Sequence, residues 1–143
     1  MKSDFVSPGS ALLALQRATH ATLQVLAAEL ADLDLTASEI NALANLADGE
    51  GRTVSELGVA IGSRPTTLTS VLDRLERRGH ITRGTRPGDR RSVLVELSPS
   101  GEATAGTIAE ALAALERRAL GDLPEDVVRN FRTVLRALTE VST

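Results

Sequence analysis

Four hydroxyl side chains, Thr66, Thr67, Thr69 and Ser70, crowd into one short stretch and are followed at helical intervals by Arg74 and Arg77. Short hydroxyls can bond base edges or phosphates at close range, a threonine methyl can touch a thymine methyl, and arginine pairs with phosphate or guanine. Arg64 stands just ahead of them. Further on, Arg86-Pro87-Gly88-Asp89-Arg90-Arg91 combines a tight-turn pair with three arginines, the residue type suited to a narrow, strongly negative minor groove. Asp89 lies two residues before Arg91, a spacing that predicts a carboxylate holding the guanidinium in place. The candidate DNA-binding residues are therefore Arg64, Thr66, Thr67, Thr69, Ser70, Arg74, Arg77, Arg86, Asp89, Arg90 and Arg91.

The chemistry these residues need is also visible in the distribution of charge. The chain of 143 residues has a formal net charge of −3, but residues 52–92 hold nine arginines against four carboxylates, a local balance of +5. The remainder is correspondingly acidic. A basic middle third in an acidic frame is the footprint of a phosphate-binding module mounted on something else.

The helices that carry this module follow from apolar spacing. Leu12, Leu15, Thr19, Leu23, Leu26, Leu30 and Leu33 mark one face of a long first helix. Thr36 and Glu39 predict a capping box opening a second helix, with Ile40, Leu43 and Ala47 inward, ended by Asp48-Gly49-Glu50-Gly51. Thr53 and Glu56 repeat the device for a short third helix with Val54, Leu57 and Ile61, stopped at Gly62. Ser63 is expected to cap a fourth, with Pro65 in its first turn and Leu68, Val71, Leu72 and Leu75 buried up to Gly79. Gly58 is expected to let the third and fourth helices cross closely.

Residues His80–Thr85 and Ser92–Leu97 then read as two strands flanking the basic turn, a β-hairpin. Ser98-Pro99 opens a further helix with Ile108, Ala111, Leu112, Leu115 and Ala119 on its inner side. Gly121 to Pro124 breaks it, and Val127, Phe131, Val134, Leu135, Leu138 and Val141 stripe a last one. The expected fold class is mainly α with a small β-hairpin wing, a winged helix-turn-helix. Its DNA-binding region spans 36–98, and residues 1–35 and 99–143 form a helical dimerisation region, because the outer helices carry more apolar surface than one small lobe covers.

Other chemistries find no residues. Without cysteine there is no disulfide, thiolate metal site or thiol switch, and the two histidines do not make a metal site. No nucleophile–base pairing or phosphate-binding glycine loop points to an enzyme, and no cofactor is expected. The only aromatics are Phe5 and Phe131, too few for a base-stacking platform. With no apolar run near the ~18 residues of a membrane span and no leader-like pattern in residues 1–8, no membrane association and a cytoplasmic location are expected.

The segments Val54-Ser55-Glu56-Leu57, Leu72-Asp73-Arg74-Leu75-Glu76-Arg77-Arg78-Gly79, Asp89-Arg90-Arg91 and Leu97-Ser98-Pro99-Ser100-Gly101 occur in an order that resembles the MarR family of winged-helix regulators. The resemblance runs along nearly the whole chain and implies a homodimer that binds double-stranded DNA as a repressor of a pseudo-palindromic operator. It further implies release by a small aromatic or anionic effector, for which Arg17 and His20 on the first helix are the nearest polar anchors. His80 stands where the family usually has an apolar residue. Ligand-independent activation or an architectural role stays open.

Overall fold

The computed structural model describes residues 9–86 and 88–141, with Arg86 and Arg90 described in their backbone only. The expected parts played by Pro87 and by the Arg86 and Arg90 side chains, like the leader reading of residues 1–8, lie outside this set. The order of elements is α1 (Ala11–Glu29), a 3-10 turn (Ala31–Leu33), α2 (Ala37–Ala44), β1 (Arg52–Thr53), α3 (Val54–Ile61), α4 (Pro65–Arg77), β2 (Ile81–Arg86), β3 (Asp89–Leu97), α5 (Pro99–Leu120) and α6 (Glu125–Glu140). This is the expected helical fold with a small antiparallel sheet.

The chain divides into two compact units, one ending at Leu112 and the other beginning at Ala113. In the first, Leu26, Leu30, Ile40, Leu43, Leu46, Leu57, Leu68, Val71, Leu72, Leu75, Ile81, Val95 and Ile108 form the core. Each such side chain stabilises the fold by about 1.5–3 kcal/mol relative to exposure. In the second, α6 buries no residue, and Val127, Phe131 and Val134 stay exposed along its stripe.

Both capping boxes form as expected. Thr36 accepts from the Glu39 amide at 3.1 Å while Glu39 accepts from the Thr36 amide at 2.8 Å, and Thr53 and Glu56 repeat the pair with the same distances. Other boundaries move. The first helix stops at Glu29, not Leu33, and the chain turns through Asp34 at φ 54°, a left-handed conformation that a short polar side chain tolerates. The second stops at Ala44, where the Asn45 amide donates to the Asn41 carbonyl at 2.8 Å and offers that backbone oxygen a side-chain partner. Ala42 is buried within the helix and Leu46 in the turn that follows it, whereas Ala47 is only half-buried.

The N-cap of α4 is Arg64, not Ser63. Proline at the next position holds Arg64 in extended backbone, φ −66° and ψ 151°, and so makes it the half-helical residue. At the other end Gly79, with φ 81°, closes the helix: its amide donates to the Glu76 carbonyl and that of His80 to the Leu75 carbonyl. These two bonds are the paired closure of a Schellman motif.

The sheet has three strands in the order β1-β3-β2, one more than the hairpin anticipated. Two residues, Arg52 and Thr53, pair with Val95 and Leu94 and tie the start of α3 to the wing. Between β2 and β3 the register runs from Ile81↔Leu97 to Thr85↔Val93 and then shifts to Arg86↔Asp89, so residues 90–92 form a bulge on β3.

Candidate nucleic-acid interface

α4 is positioned by its inner stripe: Leu68, Val71, Leu72 and Leu75 are almost fully buried, which turns Thr66, Thr67, Thr69 and Ser70 outward. Thr69 spends its hydroxyl proton on the Pro65 carbonyl at 2.9 Å. Its oxygen still accepts. α3 buries Leu57, and a methyl on Gly58 would meet Leu68 Cδ2 at 3.4 Å, an ordinary contact. Gly58 therefore permits the crossing without being required for it. Gly62, at φ 68°, makes the turn between the two helices.

The arginines of the middle third divide into two groups. Arg52 grips Asp48 through both terminal nitrogens, at 3.0 and 2.8 Å; that hydrogen bond, aided by the Glu50 amide, holds the Asp48 carboxyl at about 2. Arg78 donates to the carbonyls of Asp34 and Leu33 at 2.6 and 3.2 Å, satisfying exposed ends of the 3-10 turn. Arg83 donates to Asp73 and Glu76, and these bonds, that to Glu76 foremost, raise its pKa. Arg74, a candidate DNA contact, donates through Nε to Glu39 at 2.8 Å. Arg64, Arg77 and Arg91 have no carboxylate partner among the described residues.

Glu39 is 2% exposed. Burial pushes its carboxyl up, but the bonds from Arg74 and the Thr36 amide outweigh that and hold it below the usual value. One buried carboxylate thus caps α2 and anchors α4. The sequence marks only the cap, because the partner lies 35 residues away.

Asp89 acts differently from the expected guanidinium clamp. Its carboxylate accepts from the Arg91 amide and from the Ser92 hydroxyl, each at 3.0 Å. With the residue two positions on, the amide lies within reach of this carboxylate in an Asx turn. Asp89 therefore pins the bulge, and the bulge aims the exposed Arg91 side chain.

The turn from α4 into the wing is locked to α5. Ser98 and Ser100 both donate to the Gly79 carbonyl, the Ser98 oxygen accepts from the Gly101 amide at 3.0 Å, and the Ser98 amide donates to the His80 carbonyl at 3.0 Å. A methyl on Gly101 would sit 1.8 Å from the His80 carbonyl oxygen, so only glycine fits. His80 has Nδ1 buried without a partner; burial, then the nearby Arg78, lowers its pKa.

Arg17 and His20, the candidate ligand anchors, are exposed on α1, where His20 Nε2 meets Gln24 Nε2 at 3.1 Å. Neither lines the partly open apolar pocket of about 260 Å³ formed by Thr19, Leu23, Leu26, Ile40, Asn41 and neighbouring residues. The polar groups there are Thr19 and Asn41, which the sequence reading did not single out for this role. Among the described residues no group of three or more His, Asp or Glu side chains could hold a metal ion, and no described helix is long and apolar enough to cross a membrane.

Residues 33–92 match a family model described as MarR family. The multiple antibiotic resistance protein MarR of Salmonella typhimurium is 38% identical over 74 residues, 52% of this chain and 51% of that protein. The chain thus aligns with about half the length of the curated relatives it matches. Among solved structures, a MarR-family transcriptional regulator from Silicibacter pomeroyi is similar over 91% of this chain and 88% of that one, with 25% identity and a TM-score of 0.81. NadR in complex with 4-hydroxyphenylacetate is similar over 94% and 96% respectively, with 20% identity and a TM-score of 0.86.

Proposed function

We propose, for a chain that belongs to the MarR family of winged helix-turn-helix transcriptional regulators, that it binds double-stranded DNA as a homodimeric repressor in the cytoplasm. The observation that carries this reading is the outer face of α4, where Thr66, Thr67, Thr69 and Ser70 are exposed together between Arg64 and Arg77. In a major groove these hydroxyls meet base edges while the arginines meet phosphates. Arg91, presented by a bulge pinned at Asp89, enters the adjacent minor groove. Arg86 and Arg90 are, by residue type, further candidates for DNA binding.

Residues 36–98 form the reading region, and residues 1–35 and 99–143 supply the dimer contacts. The exposed leucines of α1 and the bare stripe of α6 support this division. Two copies then read a pseudo-palindrome with half-sites about 10 base pairs apart. Release by a small effector is supported by the apolar cavity beside α2, whose lining suits an aromatic or apolar body held by Thr19 and Asn41. NadR, a structural neighbour, holds 4-hydroxyphenylacetate.

Selection of bound sequences from random duplex DNA, followed by titration at several salt concentrations, tests the reading. The expected result is an inverted repeat bound with a steep salt dependence. Binding that is absent, or that selects no sequence, would contradict it.

A further inference from the structure

Asp73 and Glu76 are out of place on a surface that is to meet phosphates. They stand three residues apart on α4, on one side of the helix, and Asp73 lies one turn from both Ser70 and Arg77. Both carboxylates converge on a single guanidinium from the wing: Arg83 Nη2 donates to Asp73 Oδ1 at 2.7 Å and to Glu76 Oε1 at 2.6 Å, and Arg83 Nε donates to Glu76 at 3.1 Å. Arg83 is the more buried of the three, at 25% against 48% and 41% side-chain exposure. On β2 it pairs with Val95 of β3, the strand whose far end carries the Arg91 bulge.

We propose that Arg83 is a positioning residue for DNA recognition, a strut that fixes the wing relative to α4 so that Arg91 and the α4 hydroxyls engage adjacent grooves together. This rests on the DNA-binding reading above. A planar fork spanning two carboxylates sets both distance and angle, which a lysine ammonium on a flexible stem does not. The carboxylates hold the strut at their own electrostatic cost near phosphate. A surface tuned for charge alone would omit them.

That cost separates positioning from neutralisation. The double variant Asp73→Ala/Glu76→Ala removes two negative charges from the DNA face, and alanine suits a helix. If charge alone mattered, the variant would bind DNA more tightly, with a steeper salt dependence. The strut predicts the opposite: about tenfold weaker binding to the selected operator and a shallower salt slope, because the wing's phosphate contacts are lost. Arg83→Lys keeps the charge and should move both readouts the same way by a smaller amount. Circular dichroism melts establish that each variant is folded at the assay temperature. Wild-type affinity in the folded double variant, or in the folded lysine variant, overturns the proposal. A wild-type chain that binds no duplex overturns the functional reading itself, and the strut with it.

Discussion

Of the nine arginines in residues 52–92, Arg52 and Arg74 pair with Asp48 and Glu39, carboxylates outside that segment, so the local balance of +5 overstates the charge free to meet DNA; Arg78 and Arg83 are also held within the protein, by carbonyls and by Asp73 and Glu76. Residue type and spacing reveal which side chains could contact phosphate. They do not reveal which have partners far away in sequence. Gly58 and Gly101 make the same point. Gly58 looks obligatory from its place between two short helices, yet a methyl there makes an ordinary 3.4 Å contact. Gly101 has no local reason to be glycine, and a methyl there collides with the His80 carbonyl at 1.8 Å. Gly101→Ala should therefore destabilise by about 1–3 kcal/mol or more through forced backbone movement. Gly58→Ala should be neutral or stabilising by about 0.4–1 kcal/mol, since it restricts the unfolded chain. Urea denaturation of both variants checks the contrast, and equal effects would refute it.

At the scale of elements, what was legible is what is local. Two capping boxes, the Gly62 and Gly79 stops and the inner stripe of α4 are patterns within a few residues, and they appear as read. The two-residue β1 and the Glu39–Arg74 anchor depend on partners elsewhere, and composition carries no trace of them. The junctions around α4 also respond to pH. His80, half-buried beside Arg78, has its pKa below the ordinary 6.5. The unfolded chain therefore takes up this proton first, and stability falls as pH drops below 6.5 towards the folded value. Glu39 is likewise held below its ordinary 4.5, so the stability it contributes is present above 4.5 and lost as pH falls through its lowered value. Thermal melts across this range should show two acid losses. His80→Phe should remove the upper one, and Glu39→Gln should reduce the lower. A His80→Phe profile identical to wild type between pH 5 and 7 would count against the assignment of that loss to this imidazole.

The whole molecule is less legible than its parts, because the proposed reader requires a second copy of the chain. Val127 (46% exposed), Phe131 (43%) and Val134 (55%) recur along one face of α6, which buries no residue. Phe131→Glu should shift the chain from dimer towards monomer in sedimentation equilibrium, and weaken operator binding by separating the two half-site readers. An unchanged mass would remove this face from the interface.

If α4 and the wing read DNA as one surface, competition binding of Arg91→Ala to the selected operator reveals it. Weakening by about 1–3 kcal/mol is predicted, with the preferred bases facing α4 unchanged. An Arg91→Ala chain that binds its operator as tightly as wild type would contradict it.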